Sequence, residues 1–200
     1  MKLTGKRFAI LATNGFEQSE LESPLETIEK AGGAADIVSI ESGKIKAWKD
    51  KDWGKEFKVD VKLDDADAES YDGLVLPGGV ISPDQLRVNE KAIQFIQAFF
   101  SEERQKPVAA ICHGPWSLIN AGVVEGRKMT SYKSIRLDLE NAGANWVDEE
   151  VVVDRGLVTS RRPDDLPAFN KKMIEEFAEG PHKLKVASKA KSTPASVQRH

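Results

Sequence analysis

Cys112 and His113 stand side by side in the stretch P-V-A-A-I-C-H-G-P-W-S, from Pro107 to Ser117, and Cys112 is the only cysteine among the 200 residues. A thiol beside an imidazole can do nucleophilic chemistry on a carbonyl carbon, the imidazole taking the proton as the sulfur attacks. Before the pair lies an apolar run, Val108 to Ile111, that suits a buried strand. After it, Pro115 suits the first turn of a helix. A strand that stops at a polar residue and turns at once into a helix is a nucleophile elbow. There the helix dipole and its unpaired N–H groups favour thiolate, so a lowered pKa is expected for Cys112. A lone cysteine is otherwise often a buried space-filler. The strand, C-H-G-P and the helix together argue for the reactive use.

Two further strand ends are expected to bring partners to this thiol. The first strand leads to N-G-F-E with Glu17, and a later one to Gly78 and Gly79, followed by Asp84. The set offers a nucleophile, a base, two carboxylates and a glycine-lined backbone whose N–H groups can face an oxyanion. The other two histidines, His182 and His200, lie in a basic C-terminal segment, which leaves His113 as the base. Glu17 can equally be a carboxylate at a helix N-terminus, and Asp84, after Pro83, the start of a turn or helix.

The elements that must position these residues alternate. Residues 6–13 and 35–40 read as buried strands around a helix that Ser19 can cap and that ends near Lys30. Residues 44–48 and 57–63 read as a hairpin arm carrying Trp48 and Trp53. Residues 73–77 are a strand, and Asn89 starts a helix through Arg104. After the elbow come a short strand at 127–130, a helix capped by Ser134 over 135–142, a hairpin at 151–159 and a final helix at 166–177. The β–α–β order predicts an α/β fold, an open, doubly wound, mostly parallel sheet of six or more strands between helices.

Composition allows one domain, 1–180, with a solvated tail at 181–200. The tail holds five Lys/Arg and no acid, against a net charge of −8 in the rest. The overall net charge of −3 gives no drive toward nucleic acid. No apolar run is long enough to span a membrane, and no Cys/His spacing suits a metal. One cysteine excludes an internal disulfide and favours a reducing, cytoplasmic setting.

The stretches A-A-I-C-H-G-P-W, L-P-G-G with P-D-Q-L-R downstream, N-G-F-E near the start and T-S-R-R-P-D-D-L-P-A-F near the end resemble the PfpI intracellular protease branch of the ThiJ/PfpI superfamily, which also contains the parkinsonism-associated deglycase. The resemblance covers residues 5–180. It implies a flavodoxin-like sandwich and a cofactor-free enzyme, with Cys112 as nucleophile on a strained elbow and His113 as its base. It implies that Glu17 bonds the sulfur and that the N–H groups of Gly79 and His113, beside Gly78, form the oxyanion hole. It also implies a homo-oligomer, dimer or hexamer, in which an acid from a neighbouring subunit orients the histidine. Asp84 takes that place, one methylene shorter than the usual glutamate. The activities implied are peptide hydrolysis, conversion of methylglyoxal to lactate, repair of glycated proteins, and stress protection through cysteine oxidation. A non-catalytic redox sensor is the main alternative. A class I glutamine amidotransferase would need a late histidine, and none lies between His113 and His182. A nucleotide-binding module would need a phosphate-binding glycine loop, and none is present.

Overall fold

A computed structural model describes residues 2–101 and 105–182. Of the basic segment, only Pro181 and His182 fall within it. The chain runs β1 (Arg7–Leu11), α1 (Gln18–Lys30), β2 (Ala34–Ser39), β3 (Lys44–Lys49), β4 (Asp52–Lys58), β5 (Val61–Lys62), β6 (Gly73–Leu76), α2 (Ile81–Leu86), α3 (Glu90–Ala98) and β7 (Val108–Ile111). It continues through α4 (Pro115–Asn120), β8 (Lys128–Met129), α5 (Arg136–Asn141), β9 (Asn145–Trp146), β10 (Val151–Asp154), β11 (Leu157–Ser160) and α6 (Leu166–Glu179).

Seven strands form one sheet in the order β10-β11-β7-β6-β1-β2-β5, every neighbouring pair parallel except β10 with β11. The central strands β6, β7 and β11 are buried without alternation because both faces are covered. On β1, Ala9 and Leu11 face a core shared with Phe95, Phe99, Leu118 and Leu139 from α3, α4 and α5. Phe8 and Ile10 face the opposite core, with Ile28, Phe169 and Phe177 from α1 and α6. Phe8 and Phe177 stack there with centroids 4.4 Å apart. This is the doubly wound, flavodoxin-like sandwich that the sequence predicts. Strand order reverses between β1 and β6, so a crevice opens at their carboxyl ends.

The differences from expectation are local. The predicted helix from Asn89 ends at Ala98, and a separate short helix, α2, precedes it. The hairpin is tighter than expected, with β4 starting at Asp52. Its two tryptophans meet edge to face, with ring centroids 5.5 Å apart. Glu17, not Ser19, occupies the N-cap position of α1. His182 is held to the domain, its N–H bonding the Gln105 carbonyl at 2.9 Å and its Nε2 lying 2.9 Å from Glu176 Oε2. Among the described residues no helix is long and apolar enough to cross a membrane.

Candidate active site

Cys112 stands between β7 and α4 with φ 61°, a left-handed conformation that costs a non-glycine residue about 1–2 kcal/mol. The neighbours hold it there. Its N–H bonds the Ser160 carbonyl at the end of β11 at 3.0 Å, and its carbonyl accepts from Tyr132 N–H at 2.9 Å. The turn delivers the sulfur to the crevice, where the side chain is only 7% exposed.

The carboxyl group on that sulfur is Glu20, and this corrects the assignment of Glu17. Glu20 is fully buried, and its Oε2 accepts the Gly78 N–H at 2.9 Å. Its Oε1 has no partner among the described residues, and the carboxyl group interacts with the Cys112 thiol. Burial pushes the Glu20 carboxyl up to about 8, so it carries a proton at neutral pH. The inward face of α1 explains the choice, since Glu20 falls among Leu21, Pro24 and Ile28 on its buried side. That apolar periodicity was the available signal. Glu17 sits at the rim instead, half-buried, with Ser19 Oγ donating to its Oε1 at 3.3 Å. Burial raises its pKa too, but its partners are Ser19, Asp50 and Lys49.

Gly78 has no alternative at this contact. A β-carbon there would lie 2.6 Å from Cys112 Cβ, 2.6 Å from Glu20 Oε2 and 2.8 Å from the His113 nitrogen. Its N–H is committed to Glu20, so it is not a third oxyanion donor. The N–H groups of Gly79 and His113 are the ones that face the sulfur. They lower the thiol pKa, but burial, followed by the charge of Glu20 when ionised, pushes it up more. A simply lowered pKa is therefore not what the elbow produces. The helix behind it has only six residues, and desolvation outweighs its dipole. Protonating Glu20 removes the like charge and supplies a donor to sulfur.

His113 lies with Nδ1 3.2 Å from Cys112 Sγ and Nε2 3.0 Å from Ser134 Oγ. Burial lowers its pKa, so the ring is neutral near pH 7 and able to accept a proton. Tyr132 stacks on it at 4.9 Å. The sequence marked Ser134 only as a helix cap, yet its hydroxyl turns to the histidine and α5 begins at Arg136. Asp84 lies on the exposed side of α2 and makes no bond to His113 within the chain.

The hairpin arm braces the other wall. Trp48 N–H bonds the Phe16 carbonyl at 2.7 Å, Gly15 N–H the Lys46 carbonyl at 2.8 Å, and Lys55 N–H the Gln18 side chain at 2.9 Å. The loop before α1, and with it Glu20, is thereby fixed. Two cavities flank the elbow. One, of about 430 Å³, is lined by Glu17, Ser19, Lys49 and Asp50, and the other, of about 290 Å³, by Tyr132, Lys133, Trp146 and Arg162. Neither includes Cys112 in its wall. At the end of α6, Glu176, Glu179 and His182 bring ligand-type atoms within 4.8 Å of one another, a grouping absent from the sequence expectations.

Residues 6–176 match the DJ-1/PfpI family. The chain is 47% identical over 171 residues to general stress protein 18 of Bacillus subtilis (strain 168), covering 85% of this chain and 96% of that one. It is 45% identical over 170 residues to protein/nucleic acid deglycase 2 of Escherichia coli (strain K12), covering 84% and 96%. The crystal structure of Drosophila melanogaster DJ-1beta superposes with a TM-score of 0.78 at 27% identity, over 86% of this chain and 90% of that one. Extent, identity and fold agree, and the chain belongs to the DJ-1/PfpI family.

Proposed function

We propose that the protein is a cofactor-free cysteine enzyme that acts on small reactive carbonyls and on the adducts they form with proteins or peptides. The observation that carries this reading is the convergence on one sulfur of His113 Nδ1, two backbone N–H groups and a protonated carboxyl. With methylglyoxal as the simplest substrate, Cys112 Sγ adds to the aldehyde carbon and its proton passes through His113 to the new alkoxide. The developing charge falls on the Gly79 and His113 N–H groups. His113 then moves the proton on that carbon to the neighbouring carbonyl carbon, while the proton of the new hydroxyl passes to the neighbouring oxygen, leaving a lactoyl thioester. Water hydrolyses the thioester to lactate and frees the thiol. One carbon is oxidised as its neighbour is reduced, so no external redox partner is needed. Glu20, donating to sulfur, eases its departure. The deglycase and stress-protein names of the relatives support this class of substrate.

The test is lactate formation from methylglyoxal by wild type, Cys112→Ala and His113→Ala, with chelator and contaminant controls. Lactate from wild type and background levels from both variants is the expected result. No lactate from wild type overturns the enzyme reading. A redox-sensing role would then rest on the same Glu20 contact, which suits a sulfinate, and mild peroxide should add two oxygen atoms to Cys112 by intact mass.

The reading also includes a second copy of the chain that brings its Asp84 to this face. Val80, Ile81 and Val88, exposed at 56%, 39% and 75%, give the surface around Asp84 an apolar character that supports such a contact. Mixing Cys112→Ser with Asp84→Ala chains should restore activity if Asp84 acts in trans. Persistent inactivity of the mixture, or full activity of Asp84→Ala alone, removes it from the site. A reducing cytoplasm is the setting that fits a single free thiol.

A further inference from the structure

A neutral imidazole carries one proton, and which nitrogen holds it decides what the ring can do. His113 can take the thiol proton at Nδ1 only while its own proton sits on Nε2, and an Nε2–H needs an acceptor. The hydroxyl of Ser134 lies 3.0 Å from that nitrogen. Ser134 is itself held against the elbow, because Tyr132 N–H bonds the Cys112 carbonyl at 2.9 Å and Ile135 N–H bonds the Tyr132 carbonyl at 3.2 Å. Tyr132 stacks on the imidazole and sets its plane. The turn at 132–135 thus sets the plane of the ring and places a hydroxyl at its Nε2.

We propose that Ser134 is a positioning residue that holds His113 in the tautomer able to deprotonate Cys112. The inference rests on the reading of His113 as the base. When the proton arrives at Nδ1, both ring nitrogens become donors, and Ser134 Oγ accepts from Nε2 while the thiolate accepts from Nδ1. Because Ser134 belongs to the same chain, this positioning does not depend on assembly. Its effect should be independent of protein concentration, unlike that of a partner's acid.

The measurement is the rate of Cys112 alkylation by iodoacetamide against pH, which requires no turnover. Ser134→Ala should slow alkylation near pH 7 by about three- to tenfold, the scale of one lost hydrogen bond, and move the profile to higher pH. Ser134→Thr, which keeps the hydroxyl, should restore the wild-type profile. In a His113→Ala background, Ser134→Ala should have no further effect. An unchanged profile in Ser134→Ala overturns the proposal, since water then serves equally well. So does an effect that persists without His113, which would mark Ser134 as merely structural. If alkylation follows the expected pattern but wild type makes no lactate, the enzyme reading fails and the positioning role stands.

Discussion

Glu17 and Glu20 are the same residue type, three positions apart at one end of α1, and they live in different media. Glu20 is walled in by Gly78, the elbow and the core, with no exposed surface. Glu17 stands at the rim against Lys49 and Asp50 of the hairpin arm, where solvent reaches it. The inner group can keep its charge only at high energy and so keeps its proton. The outer one is also raised by burial, but hydrogen bonds from Ser19 and the charge of Lys49 pull it back down. Burial, more than proximity to the sulfur in the sequence, decides which carboxyl serves the thiol.

The largest test of this contrast is stability against pH. An acid whose folded-state pKa exceeds its unfolded one holds a proton that unfolding releases. Stability therefore falls as pH rises, here from about 4.5 to about 8 for Glu20. Glu20→Gln removes that slope and keeps an acceptor for Gly78. At pH 7 it should be more stable than wild type by on the order of 3 kcal/mol. Glu17→Gln should leave the slope nearly intact. Equal slopes in the two variants, followed by chemical denaturation, would erase the distinction between inner and outer carboxyl.

Gly78→Ala attacks the inner wall alone. Its β-carbon must displace Cys112, Glu20 or the elbow backbone, so a loss of about 2 kcal/mol is expected, together with slow iodoacetamide labelling. Wild-type labelling in this variant would show that the wall is looser than its distances imply. A smaller effect concerns the strain at Cys112. Both Cys112→Ala and Cys112→Gly lose the sulfur, but only glycine is at ease at φ 61°. Cys112→Gly should be the more stable of the two by about 1 kcal/mol in thermal unfolding. The smallest effect belongs to the outer wall. Lys55 pairs with Glu22 at 2.6 Å with its side chain 65% exposed, and Lys55→Ala should leave the melting temperature unchanged within error.

The layered fold was legible because its strands are uninterrupted apolar runs, as at Phe8 to Leu11 and Val108 to Ile111, and such runs must be covered on both faces. Asn89 was legible as a helix start, and its side chain does accept the Ala92 N–H at 3.0 Å. The short helix α2 was hidden by Pro83 within its six residues. The position of Cys112 and His113 followed from local sequence alone, since strand, elbow and helix are contiguous. The carboxyl did not. Choosing between Glu17 and Glu20 requires knowing that α1 begins at Gln18, and a shift of three residues along a helix start exchanges rim for interior. Ser134 had no local signal for its bond to His113, because the contact spans 21 residues and depends on how the loop after β8 folds back. The role of Gly78, expected only to stand beside the oxyanion hole, was hidden for a related reason. Its N–H had another claimant that only the tertiary structure reveals.

The bond from Cys112 N–H to the Ser160 carbonyl has a consequence for the order of events during synthesis. Ser160 leaves the ribosome about fifty residues after Cys112, and a growing chain folds as its segments become available. Until β11 docks beside β7, that N–H lacks its partner, and the left-handed turn has only the Tyr132 N–H on the Cys112 carbonyl to hold it. The nascent chain is therefore expected to carry a thiol without its folded surroundings. Its special reactivity is acquired late, as a sign that the domain has been completed.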